Sequence, residues 1–267
     1  MKKLLSIIFV FILIFSFSFA EVSQELMKKA ENGDRRAQFE VGLKYYQDED
    51  YKKAVNWYKK SANQGHQVAP FNLGVMYYNG IGVSKNLKKA LKWYKKSAEA
   101  GNFKGQYQLA LMYDFGRGTP KNYKKAYKYY KLSAKKGYRP AQHNLGIMYI
   151  NGKGVSKNLK KAYENFKKAA KNGYPASQCS LGIMYHFGNG VEKNYEEAFK
   201  WYSMAALKGN DKAQFNLATL HFYGKGIEVG KSRAKYWINK IIQNKNASKK
   251  FKEKAKKFWK DHELEKY

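Results

Sequence analysis

The sequence is poor in three kinds of residue, and each scarcity excludes a class of protein. A single Cys in 267 residues excludes an intramolecular disulfide framework and any metal site built from several cysteines. Only 4 Pro argue against a fibrous or proline-rich extended chain. The 20 Asp and Glu face 52 Lys and Arg, which gives a formal net charge of +32. Because 44% of the residues are hydrophobic, the chain is too apolar for a disordered polycation, and we expect it to fold.

The first twenty residues have the pattern of a secretory signal peptide. Lys2 and Lys3 precede an apolar run over 4–19, and the small residues Ser18 and Ala20 end the segment. This order predicts cleavage after Ala20 and export to the periplasm or out of the cell. An uncleaved membrane anchor remains the alternative, and no later run approaches the roughly 18 apolar residues of a spanning helix.

The rest of the chain repeats with a period of 36 residues. A small residue after a Leu recurs at Gly74, Ala110, Gly146, Gly182 and Ala218. Paired loop glycines keep the same step at Gly80/Gly82, Gly116/Gly118, Gly152/Gly154, Gly188/Gly190 and Gly224/Gly226. A first unit around Val41 and Gly42 has a shorter loop at 47–50, so six units are present.

Each unit is predicted to form two antiparallel helices. Ala69, Leu73 and Tyr77 recur at i, i+4 and i+8, which is helical spacing. One such pair is too small to bury its apolar face, so neighbouring pairs must stack. The sequence therefore predicts an all-α solenoid of six repeats over 35–242, with a capping helix at 21–34 and another at 247–267.

The best-formed unit resembles a known repeat family. Leu145-Gly146-Ile147-Met148-Tyr149, followed by a Gly-x-Gly loop and Lys157-Asn158, is similar to the Sel1-like repeat, a relative of the tetratricopeptide repeat. The resemblance implies a right-handed superhelix that serves as an adaptor or binding scaffold.

The resemblance also implies a second hypothesis. A secreted, cysteine-rich branch of the family, the Hcp proteins, has disulfide-linked helix pairs and reported penicillin-binding and β-lactamase activity. Where that branch carries its cysteines, this sequence has glutamines on the first helices and alanines on the second. These residues are Gln142, Gln178 and Gln214, and Ala134, Ala170 and Ala206. We keep a β-lactam- or peptidoglycan-directed activity as the alternative.

Catalytic candidates are few, and we assign no catalytic residue. Ser133-x-x-Lys136 and Ser232-x-x-Lys235 match one element of a penicillin-reacting serine enzyme, without its Ser-Asp-Asn and Lys-Thr-Gly companions. We interpret both serines as helix-packing residues.

His143 and Cys179 share one repeat position, which elsewhere holds Phe39, Phe71, Tyr107 and Phe215. They could form a nucleophile pair or fill an aromatic slot, and we favour packing. The histidines lack metal-ligand spacing, so we expect neither metal nor cofactor.

The surface of the first helices offers a candidate binding stripe. Helical projection places one polar residue per repeat beside the core face, and a Met four residues later. The predicted ligand-binding residues are Asn72, Gln108, Asn144, Ser180 and Asn216, bordered by Met76, Met112, Met148 and Met184. Asn can clamp the backbone of an extended peptide because it offers a donor and an acceptor together, and Met supplies an adaptable apolar floor.

The positive charge lies mainly on the second helices, as in Lys88, Lys89 and Lys92. Such a surface is compatible with association with an anionic envelope and equally with a plain solvated helix face, while the absence of a nucleic-acid-binding signature argues against nucleic acid. The sequence thus predicts an exported, non-enzymatic scaffold that binds a protein or peptide through the concave face formed by its first helices.

Overall fold

The computed structural model describes residues 24–267, and every regular element in this part of the chain is a helix. The predicted signal peptide and the predicted cleavage site lie outside the described residues, as does the start of the predicted N-terminal cap. None of the described helices is both long enough and apolar enough to cross a bilayer.

From α2 onwards the helices are thirteen-residue segments, except for the shorter α4. They are α1 (24–31), α2 (Arg35–Gln47), α3 (Tyr51–Asn63), α4 (Ala69–Asn79), α5 (Leu87–Glu99), α6 (Phe103–Phe115), α7 (Tyr123–Lys135), α8 (Arg139–Asn151), α9 (Leu159–Lys171), α10 (Pro175–Phe187), α11 (Tyr195–Leu207), α12 (Asp211–Tyr223), α13 (Lys231–Gln243) and α14 (Lys249–Asp261). A 3-10 turn at Leu264–Lys266 follows.

The repeated polar residues explain where the helices begin. The Asn of the Lys-Asn motif caps the second helix of its repeat, as when the Asn86 side chain accepts from the Lys89 N–H at 2.9 Å. Asp50 caps α3 in the same way.

The loop glycines have a structural role. Gly80 ends α4 in the left-handed conformation, with φ 80°. Gly82 also has positive φ, and a Cβ there would lie 2.5 Å from the backbone of Tyr51, at the start of the preceding second helix. Gly190 meets Leu159 in the same manner. The recurring Gly-x-Gly pair thus lets each loop lie against the preceding repeat.

The described chain falls into two compact units, one ending at Asn122 and the other running from Tyr123 to Tyr267. Within each unit the two helices of a repeat pack together, as do consecutive repeats. In the second unit, for example, Phe166 of α9 is buried with Leu145 of α8 and Leu181 of α10. The predicted all-α class and the stacked helix pairs are confirmed.

The last helix packs on the final repeat. Ala255 and Phe258 of α14 and Leu264 of the terminal turn are buried against Ile238 and Ile241 of α13. Sequence analysis predicted a helix over 247–267, and the α-helical part is Lys249–Asp261.

Candidate functional site

The five polar residues of the predicted stripe lie on the first helices and are half-buried. Two of them use polar groups within the fold. Asn72 hydrogen-bonds the hydroxyl of Tyr58, and the Ser180 hydroxyl donates to the Ala176 carbonyl at 2.9 Å. Their remaining exposure is compatible with the predicted role in binding, which stays a prediction.

The four methionines lie deeper than expected. Met76, Met112, Met148 and Met184 are between 1% and 3% exposed. Met76 is buried with Ala54, Val55 and Tyr58 of the preceding repeat, because stacking of the repeats covers this edge of the first helix. All four are therefore core residues. Their predicted role as the apolar floor of a binding surface stays a prediction, and Met184 lies on the lining of a cleft in the second unit.

A larger feature lies in the second unit, where a cleft of about 540 Å³ opens between α8 and α10. Its wall is mainly apolar, with Ile147, Ile150 and Phe166 of the fourth repeat facing Cys179 and Ile183 of the fifth. Ser180 and Met184 also contribute, so two of the predicted site residues belong to it.

The rim of this cleft is polar and basic. It is formed by Asn151, Lys157, Asn189, Asn210 and Lys212. Neither Lys157 nor Lys212 forms a salt bridge among the described residues. Lys212 lies close enough to His143 and Cys179 to influence the pKa of both side chains.

The equivalent place in the first two repeats shows what makes the cleft large. A cavity there measures about 220 Å³, and its lining includes Tyr46, Phe71 and Asn72. At the matching positions the cleft has Ile150, Cys179 and Ser180, which are smaller. Sequence analysis noticed the departure at Cys179 but interpreted it as packing, and it missed that three shortened side chains converge on one space.

His143 and Cys179 both line the cleft, yet they lack the charges of a nucleophile pair. Burial raises the pKa of the Cys179 thiol to about 12 and lowers the pKa of His143 to about 4, so both are neutral at pH 7. The His143 Nδ1 atom lies 2.9 Å from the Ser177 hydroxyl oxygen, and its ring packs on Phe166 and Tyr174. These contacts support the packing interpretation.

In each of the two Ser-x-x-Lys matches, one of the two side chains is held by contacts within the fold. Ser133 is completely buried in α7. Lys235 donates from Nζ to the Glu265 carbonyl at 3.1 Å and so contacts the C-terminal turn. Among the described residues, no group of three or more His, Cys, Asp or Glu is arranged to hold a metal ion.

The glutamines that stand where the cysteine-rich branch has cysteines link helices. Gln178 Nε2 donates to the Ala170 carbonyl at 3.2 Å, and Gln214 Nε2 to the Ala206 carbonyl at 3.1 Å. Gln142 makes the same contact with Ala134 at 3.3 Å. In each case a hydrogen bond therefore connects two of the positions at which the resemblance places cysteines.

We expect the double substitution Ala170→Cys and Gln178→Cys, made in a Cys179→Ala background, to form a disulfide on oxidation. Closing so short a loop should raise the free energy of unfolding by about 2 kcal/mol. Thiol titration and urea unfolding of the oxidised and reduced forms check this. An oxidised protein no more stable than the reduced one would contradict it.

We also expect His143 to make the protein acid-sensitive. The pKa of His143 in the folded chain, about 4, is below the ordinary 6.5, so the associated stability is complete above pH 6.5 and is lost as the pH falls towards 4. The loss should reach at most about 3 kcal/mol. Urea unfolding measures the free energy of unfolding between pH 7 and pH 4. This free energy should decline less for His143→Phe, which carries the Phe found at this position in other repeats, than for the wild type. Equal declines in the two proteins would contradict the assignment of acid sensitivity to His143.

The described chain consists of helix pairs in tandem, joined by loops that contain glycine. The thiol and the imidazole that line its cleft are both neutral at pH 7. These features define a helical-repeat scaffold. The Sel1 repeat model matches residues 35–66, 68–102, 104–138, 139–174, 175–210 and 211–246. The chain belongs to the Sel1 repeat family.

Two solved structures share the fold. The protective antigen c5321 of uropathogenic Escherichia coli, which displays the same repeat fold, is 33% identical with a TM-score of 0.78, covering 81% of this chain and 47% of its own. A Sel1 repeat protein of Oxalobacter formigenes is also 33% identical with a TM-score of 0.73, covering 78% of this chain and 86% of its own.

A curated relative is similar over a shorter stretch. It is the Helicobacter pylori protein "Putative beta-lactamase HcpC", which is 40% identical over 47 residues. That match covers 18% of this chain and 16% of HcpC. The chain thus spans about half the length of the E. coli antigen and matches a small part of HcpC.

Proposed function

We propose that the protein is an exported, non-enzymatic scaffold that binds an extended peptide or protein segment on the face of its first helices. The observation that carries the proposal is the cleft between α8 and α10, which combines an apolar wall with amide and ammonium groups at its rim. Export follows from the signal-peptide pattern of residues 1–20. The lysines of the second helices support electrostatic association with an anionic envelope.

The neutral state of His143 and Cys179 argues for binding rather than catalysis. A thiol with a pKa near 12 is protonated at pH 7 and is a poor nucleophile. The β-lactamase alternative is supported by the partial likeness to HcpC. Incubation of the purified mature chain with nitrocefin separates the two functions: we expect no hydrolysis, and turnover that persists through purification would overturn the scaffold proposal.

Peptide selection tests the proposed face. We expect peptides selected from a random display library on the wild-type protein to lose at least about tenfold in affinity for the triple variant Asn72→Ala, Asn144→Ala, Asn216→Ala. The matched control, Lys88→Ala, Lys124→Ala, Lys160→Ala, changes exposed residues of second helices and should retain specific binding. Fluorescence anisotropy measures both affinities, and circular dichroism melts verify folding. Equal losses in both variants would contradict a site on the first helices.

A further inference from the structure

The structure shows the apolar wall of the cleft to be a local departure from the repeat pattern. In the first two repeats Tyr46 and Phe71 fill much of the equivalent space, whereas Ile150 and Cys179 leave it open in the fourth and fifth. The remaining lining keeps its apolar character, with Ile147 in place of Leu43 and Ile183 in place of Val75. The protein therefore has room for a large apolar side chain at this position.

The mouth of the cleft has a charge of one sign. Lys157 and Lys212 lie on its lining, and no carboxylate does. Asp211, the neighbour of Lys212, accepts through its two oxygens from the backbone N–H groups of Lys212 and Ser248, so it is engaged along the chain. The two ammonium groups thus remain available to an anionic partner, within a protein whose net charge is +32.

Resting on the proposed function, we propose that this cleft takes one large apolar side chain, aromatic or aliphatic, from an extended acidic peptide whose carboxylates pair with Lys157 and Lys212. The apolar side chain fills the space left by Cys179 and Ile150, and Asn151 and Asn189 offer amide groups to the peptide backbone. The charge complementarity favours an acidic peptide over a neutral or basic one.

Short labelled peptides test the pocket directly. The probes are fluorescein-labelled Asp-Asp-Phe-Asp-Asp, the same peptide with Ala in place of Phe, and Lys-Lys-Phe-Lys-Lys. In anisotropy titrations of the wild-type protein at low salt, we expect the acidic Phe peptide to bind at least about tenfold more tightly than the Ala peptide. The basic peptide should bind more weakly still. Equal affinity of the acidic Phe and Ala peptides would overturn the proposal.

Filling the cleft should abolish this preference. The double variant Cys179→Phe, Ser180→Asn restores the side chains of the second repeat, and it should bind the acidic Phe peptide at least about tenfold more weakly than the wild type. Lys88→Ala changes an exposed residue that is not on the lining of the cleft, and it should bind within about twofold of the wild type. Unchanged binding by a folded double variant would contradict the proposal.

A second variant does not depend on repacking the core. Ile147 is 39% exposed, so the Ile147→Glu variant should fold. It should bind the acidic Phe peptide at least about tenfold more weakly than the wild type, because it adds a negative charge at the cleft. Lys157→Ala with Lys212→Ala should reduce the salt dependence of binding. Unchanged affinity for Ile147→Glu would overturn the assignment.

The outcomes separate this inference from the broader function. If library-selected peptides depend on Asn72, Asn144 and Asn216 but not on Cys179 and Ser180, the scaffold function stands and the pocket assignment fails. If anionic lipid vesicles compete with the acidic Phe peptide while the Phe and Ala peptides bind alike, the cleft region is an electrostatic surface and the pocket assignment fails as well.

Discussion

Gly182→Val should cost about 4 kcal/mol of unfolding free energy or more, because the fifth repeat has no space for a side chain there. A Cβ on Gly182 would lie 2.4 Å from the ring of Tyr202, which is completely buried. Valine adds two γ-carbons to that overlap and has restricted rotamers in a helix. A glycine inside a helix normally gains stability when replaced by Ala, so even Gly182→Ala tests whether packing outweighs helix propensity.

The last repeat provides a natural comparison for this prediction. There, Ala218 occupies the small-residue position, and Ile238 occupies the place of Tyr202 in the same buried cluster. We therefore expect Gly182→Ala to be destabilising in the wild-type background and less so, by about 1 kcal/mol or more, in a Tyr202→Ile background. Urea unfolding of the four proteins measures the coupling. If the effects of Gly182→Ala and Tyr202→Ile on the free energy of unfolding are additive, the ring of Tyr202 is not the reason why position 182 needs glycine.

Removal of residues 247–267 should destabilise the protein at least as much as Gly182→Val. The truncated chain would expose Ile238 and Ile241, which α14 and the terminal turn now cover. Loss of several such buried contacts should lower the melting temperature by about 10 °C or more and promote association, since the exposed face is apolar. The result would support the capping role proposed for this helix.

Point substitutions refine this prediction without changing the chain length. Phe258→Ala should lower the free energy of unfolding by about 3 kcal/mol, because the ring packs near Phe215 and Phe222 with centroid distances of 5.7 Å and 5.4 Å. Lys256→Ala changes an exposed residue of the same helix and should have little effect. A truncated protein that melts at the wild-type temperature would exclude the capping role.

The fold was predictable because its signals recur in five of the six repeats. The positions of Leu, Gly and Ala established the helix pairs, and Gly82 and Gly190 show why the loops of these repeats keep their glycines. The burial of the methionines was not predicted, because helical projection gives an angle around one helix but not the depth at which the next helix covers it. Met76 lies beside the stripe in angle and is nevertheless covered by the preceding repeat.

The cleft could be only partly foreseen. His143 and Cys179 were recognised as departures from an aromatic position, but their protonation states depend on burial, which the sequence does not specify. The change from Tyr46 to Ile150 lies on α8, in the fourth repeat, whereas the change at Cys179 lies on α10, in the fifth. Its relation to Cys179 is therefore visible only once both side chains line one cavity.

The sequence by itself determined the repeat length and the all-α class, because these depend on local spacing and glycine conformations. Only the tertiary structure decided which of the regularly spaced residues are accessible. Stacking buries the methionines, engages Asn72 with Tyr58, and leaves a space where Ile150, Cys179 and Ser180 are smaller than their counterparts. Burial and cavity shape depend on the volumes of side chains that are distant in sequence, and these meet only in the folded chain.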